Sequence, residues 1–104
     1  MAGLTDEEIS AALQSLPGWQ YQDSALCKTY YLNSFSDAIA LVNGAAECAE
    51  EMGHHPDIDI RYNRVFFCAQ THDDGNIVTQ RDIALAGEIE RIYISLTEAA
   101  ADMD

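Results

Sequence analysis

Apolar positions recur three and four apart in three stretches of the chain and alternate with polar ones in the segments between them. Ile9, Ala12, Leu13 and Leu16 share one helical face. Ahead of them, Thr5-Asp6-Glu7-Glu8 has the form of a capping box, in which the Thr5 hydroxyl accepts the Glu8 amide and Glu8 reaches back. Leu4 and Ile9 are spaced as its hydrophobic staple, and Pro17-Gly18 closes the helix. Trp19 to Tyr21 and Ala25 to Tyr31 read as two strands about a turn at Asp23-Ser24. Ser34 or Ser36 caps a second helix with apolar positions Ile39, Val42, Ala45, Ala46, Ala49 and Met52, and Gly53 is placed as its left-handed C-terminal residue.

Ile58, Ile60 and Tyr62 alternate with Asp57, Asp59 and Arg61, the pattern of a strand with one wet face. Asn63-Arg64 predicts a tight turn into a fourth strand, Val65 to Thr71, and Asp73-Asp74-Gly75-Asn76 a loop. Thr79 and Asp82 are spaced as a capping pair for a third helix, whose stripe is Ile83, Ala86, Ile89, Ile92, Tyr93 and Leu96. The tail from Ala99 is expected to fray. The order α-β-β-α-β-β-α predicts an α+β fold: a four-stranded antiparallel sheet with three helices packed on one face. With no repeat or linker in view, residues 1–104 read as a single domain. The bare sheet face and edge predict self-association.

Charge narrows the function classes. Five Lys and Arg against 18 Asp and Glu give a net charge of −13. That excludes a basic nucleic-acid footprint and a polybasic lipid contact. No apolar run approaches the roughly 18 residues of a membrane span. The acidic, polar start is unlike a signal peptide. Cys27, Cys48 and Cys68 are an odd set without a C-x-x-C pair, which predicts reduced, mostly buried thiols and a cytoplasmic protein.

All three histidines lie in residues 54–72, at the ends of predicted elements: His54 and His55 after the second helix, His72 after the fourth strand. Such loops commonly carry function, and imidazole suits proton transfer near neutrality. A metal is the rival reading, with Cys68 or Asp73 as further ligands. It is disfavoured because adjacent histidines diverge and no H-x-x-x-H is present. No nucleophile elbow or glycine-rich phosphate loop appears.

The run Glu50-Glu51-Met52-Gly53-His54-His55-Pro56, followed by Tyr62, Thr71-His72 and Asp82, resembles the pterin-4a-carbinolamine dehydratase family, also called dimerization cofactor proteins. The likeness is ungapped from Glu50 to about Arg91 and looser over the first helix and Leu26 to Phe35. It departs at Gln70, where members often have Ser, at Ile58, often Trp, and at Gly53, often acidic. These departures bear on the shape of the pocket.

The resemblance implies a hydro-lyase that removes water from 4a-hydroxytetrahydrobiopterin, giving quinonoid dihydropterin in tetrahydrobiopterin recycling, without metal or cofactor. It implies acid/base roles for His54 and His72, with His55 mainly holding the substrate. It places Glu50, Gly53, His54, His55, Pro56, Gln70, Thr71, His72 and Asp73 along the pterin, with Tyr62 and Asp82 in support. It also implies a homodimer or homotetramer and a functional link to an aromatic amino-acid hydroxylase. The alternative it carries is a non-catalytic dimerization or regulatory module, since some members stabilise a homeodomain transcription factor. From the residues themselves, Glu50 is one turn before His54 and able to bond an imidazole, or simply solvated. Pro56 holds His55 extended. Tyr62 is a core or a contact residue, and Asp82 a cap or a site residue.

Overall fold

The computed structural model describes the backbone of residues 3–72, 75 and 77–102, and side chains up to residue 98. The elements run α1 (Asp6–Leu13), β1 (Gln20–Gln22), β2 (Ala25–Tyr31), α2 (Phe35–Met52), β3 (Asp57–Arg61), β4 (Arg64–Ala69) and α3 (Gln80–Asp102). The strands form one antiparallel sheet in the order β1-β2-β4-β3. The expected α+β order and antiparallel sheet are present.

Strand alternation sorts the side chains. Leu26 and Tyr30 of β2 and Val65, Phe67 and Ala69 of β4 are buried in one cluster with Ile9 of α1, Leu41 and Ala45 of α2, and Leu85 and Ile89 of α3. All three helices thus contribute to the core on one sheet face. Burying each large aliphatic side chain there contributes about 1.5–3 kcal/mol. Within this core, Trp19 Nε1 donates to the Tyr30 hydroxyl at 3.0 Å, and that hydroxyl donates to Glu90 at 2.5 Å. Lys28 Nζ reaches the same Glu90 oxygen at 2.9 Å.

Several boundaries move from their expected places. The α1 capping box at Thr5 and Glu8 forms, but the helix ends at Leu13, before Leu16. Tighter turns follow, with Leu16 N donating to Leu13 O at 3.1 Å, and these keep Leu16 on the buried face. Strand β1 lies one residue later than expected, because Trp19 is drawn into the core. Asp23 and Ser24 form the expected two-residue turn, both with positive φ. Ser34, not Ser36, caps α2 by accepting the Asp37 amide at 3.0 Å. The buried stripe of α2 is Ala38, Leu41, Ala45 and Ala49, rotated by one position from the expected one, which leaves Ala46 exposed. In α3, Leu85 joins the stripe, and the helix continues past Ala99 to Asp102.

Tyr62 is the largest departure. Arg61 pairs with Arg64, so the turn is Tyr62-Asn63 rather than Asn63-Arg64. Tyr62 leaves the strand, takes a φ of 54° and is 71% exposed. Asn63 fixes this register: its Nδ2 donates to Leu32 O at 2.9 Å, and Leu32 N donates to Asn63 O at 2.8 Å. Strand β4 ends at Ala69, and Thr71 instead forms an isolated bridge with Ile77.

Candidate functional site

The C-terminus of α2 aims the paired histidines. Gly53 adopts φ 62° and ψ 34°, its amide donates to Glu50 O at 3.2 Å, and the His54 amide donates to Ala49 O at 3.0 Å. This is the double-bonded Schellman ending. It reverses the chain within one residue and sends His54 inward and His55 outward. Opposite, the bridge at Thr71, with Thr71 N donating to Ile77 O at 2.8 Å, pins the base of the loop that carries His72.

The two segments face one another across a cavity of about 150 Å³. Gly53, His54 and His55 line one side, Gln70, Thr71 and His72 the other, and Arg81 of α3 completes it. All three histidines predicted from sequence are therefore brought to one place. A larger hollow of about 240 Å³ lies on the bare sheet face, lined by Thr29, Asp59, Arg61, Arg64 and Phe66. It carries no histidine, so proton-transfer chemistry favours the smaller cavity. Among the described residues, no group of three or more His, Cys, Asp or Glu is arranged to hold a metal ion.

Asp82 organises the interior wall. It is fully buried, and its Oδ1 meets His54 Nε2 at 2.5 Å. Its Oδ2 accepts the Thr71 hydroxyl at 2.8 Å and the Thr79 amide at 2.9 Å. Thr71 spends its proton on Asp82, so the Thr79 hydroxyl donates to Thr71 at 2.7 Å and itself accepts the Arg81 amide at 3.2 Å. No buried side-chain polar atom among the described residues is left without a partner. The expected capping role of Asp82 is present, and it is joined to an imidazole. A carboxylate only accepts, so Nε2 of His54 carries the hydrogen and Nδ1 is the lone-pair nitrogen of the neutral ring.

His55 has a different setting. Its Nε2 meets Glu50 Oε2 at 2.6 Å, with both side chains largely exposed. Glu50 therefore bonds His55 rather than His54, because the Schellman turn carries His54 away from the outer face of α2. His72 is exposed and lines the cavity. Gln70 also lines it, with its amide donating to Ser24 O at 3.0 Å, which draws the side chain toward the β1–β2 turn. Glu50, Pro56 and Tyr62 do not line the cavity. Asp73 lies outside the described residues. Arg81 was not anticipated: its Nη2 donates to Gly53 O at 2.8 Å and ties α3 to the histidine turn. The available signal was a cation in the first turn of a helix, where the macrodipole favours anions.

The family model described as Pterin 4 alpha carbinolamine dehydratase matches residues 2–92. A Thermomicrobium roseum protein, provisionally named a pterin-4-alpha-carbinolamine dehydratase, is 51% identical over 92 residues, 88% of this chain and 98% of its own length. A crystal structure from Brucella melitensis, described as a transcriptional coactivator/pterin dehydratase, superposes with a TM-score of 0.83 at 37% identity, covering 86% of this chain and 97% of that one. A pterin dehydratase-like protein described as a RuBisCO assembly factor in the alpha-carboxysome gives a TM-score of 0.58 at 21% identity, over 71% and 84% of the two chains. At that identity the likeness concerns the fold alone.

Proposed function

We propose that this chain, which belongs to the pterin 4 alpha carbinolamine dehydratase family, removes water from a 4a-hydroxytetrahydropterin at the cavity bearing its three histidines. The observation that carries this reading is the convergence of His54, His55 and His72, from two separate segments, on one cavity. Dehydration needs one proton delivered to the departing 4a-hydroxyl and one removed from a ring nitrogen. The products are water and the quinonoid dihydropterin, with no net change in protons. Each positioned acid or base typically contributes about 10²–10⁴-fold.

In this reading, His54 exchanges its proton at Nδ1 while Asp82 holds Nε2. His72, from the facing segment, acts on the other side of the ring. His55, paired with Glu50, holds the substrate. Gly53, Gln70 and Thr71 border the flat pterin head, and Arg81 offers further donors to its carbonyl oxygen. Pockets that enclose whole ligands measure roughly 300–1,000 Å³, so in this reading a cavity of about 150 Å³ takes part of the substrate, the reacting ring, and leaves the rest outside. The physiological setting we propose is pterin recycling alongside an aromatic amino-acid hydroxylase, in the cytoplasm. No helix among the described residues is long and apolar enough to cross a membrane.

The coverage of whole relatives supports residues 1–104 as one domain. We also propose a homodimer or homotetramer, supported by the open sheet edge at β3 and by exposed Phe35 and Ile58. A monomer mass by light scattering at micromolar concentration would contradict this assembly.

A second reading is a non-catalytic dimerization or regulatory module. It is favoured by the coactivator description of the Brucella protein. The two are separated by stopped-flow absorbance of 4a-hydroxytetrahydropterin generated in place. The dehydratase reading expects acceleration by the folded chain; no acceleration would leave the binding module.

A further inference from the structure

We propose that Cys27 and Cys68 form a reversible cross-strand disulfide site on the sheet face turned away from the helices. The two residues are direct partners in the β2–β4 ladder. Alternation puts them on the same face as Thr29 and Phe66, opposite the core residues Leu26 and Phe67. Direct antiparallel partners have Cα atoms about 4.5–5.5 Å apart, inside the roughly 4.4–6.8 Å span of disulfides. The two side chains are near enough that Cys68 is among the groups that raise the Cys27 thiol.

Their surroundings divide the roles. Cys27 is only 4% exposed yet stands outside the main core cluster. Burial, and then the neighbouring Cys68, push its thiol up to about 12. Cys68 is partly exposed, more so than Cys27, so a reagent from solvent meets it first. Cys68 is thus the entry thiol and Cys27 the resolving one. Cys48 stands apart on α2, its thiol 3.9 Å from Glu88.

The oxidant class is a small disulfide such as oxidised glutathione. The Cys68 sulfur attacks it, forming a mixed disulfide, and one small thiol leaves with the Cys68 proton. The Cys27 sulfur then attacks the Cys68 sulfur. The intramolecular bond forms and the second small thiol leaves with the Cys27 proton. The two protein thiols lose two electrons in total, and the small disulfide gains them.

The test uses the full chain carrying Cys48→Ser, incubated with oxidised glutathione at about pH 8, where thiolate begins to form. After alkylation, intact and tryptic masses are measured. The expected result is a loss of two hydrogens and a cross-linked pair of peptides, one ending at Lys28 and one at Arg81, reversed by dithiothreitol. The Cys27→Ser/Cys48→Ser chain should instead stop with glutathione on Cys68. Folded Cys48→Ser protein, checked by circular dichroism, that keeps glutathione on Cys68, keeps both thiols free or cross-links only between chains would overturn the proposal.

Discussion

The Nε2 atom of His54 meets Oδ1 of Asp82 at 2.5 Å inside the protein, joining the end of α2 to the first turn of α3. The pair does two jobs at once. It closes a buried hydrogen-bond network, and it selects which imidazole nitrogen is left for chemistry. Asp82→Asn tests the second job. The amide can still accept from Thr79 and Thr71, but it presents N–H to His54 and so moves the ring hydrogen to Nδ1. The expected outcome is a folded protein whose kcat falls by about 10²–10⁴-fold. Asp82→Ala tests the first job and should cost about 3–5 kcal/mol in urea unfolding, since it strips partners from buried donors.

Arg81 ties Gly53 and lines the cavity, so Arg81→Met removes donors from the binding wall without touching the histidines. If the guanidinium binds substrate and transition state alike, KM rises about tenfold or more while kcat changes little. Steady-state kinetics separate the two. A fall in kcat at constant KM would place Arg81 in the chemical step instead.

Gly53→Ala isolates the cost of the left-handed turn. A Cβ added there would meet nothing within 4 Å, so the penalty comes from φ +62° alone. Urea unfolding should show a loss of about 1–2 kcal/mol. Activity should fall further than stability predicts, because the same turn separates the directions of His54 and His55.

Alkaline stability follows from two buried groups. Burial, then Glu90, raises the Tyr30 hydroxyl above its ordinary value of 10.0. The Cys27 thiol is raised from 9.0 to about 12. Both are neutral in the folded state where the unfolded chain already ionises, so the unfolded state binds fewer protons and stability falls as pH rises. Under reducing conditions the decline begins near pH 9 with Cys27 and steepens above 10 with Tyr30. Each group contributes a slope of about 1.4 kcal/mol per pH unit. Urea midpoints from pH 8 upward should show this, and Cys27→Ala should lessen the earlier part, to which the Cys48 thiol, raised by burial and Glu88, also contributes.

The order of elements was legible because each helix is one-sided and carries its own cap signal, as at Thr5 and Ser34. Gly53 was legible for the same reason: a glycine after the last periodic position marks a left-handed ending. Tyr62 was not, because alternation continues through it. What ends β3 is the distant pairing of Asn63 with Leu32, which no local pattern reveals. The histidines announced themselves by residue type and position, whereas their partners did not. Glu50 is spaced for His54, yet the Schellman turn gives it His55. Asp82 read as a cap, and its bond to His54 crosses 28 residues of sequence.

The most direct measurement compares wild type with His54→Ala/His72→Ala in stopped-flow absorbance on 4a-hydroxytetrahydropterin generated in place. The account predicts that wild type accelerates the loss of water and that the variant, folded by circular dichroism, does not. Equal acceleration by the two proteins would contradict histidine acid/base catalysis at this cavity.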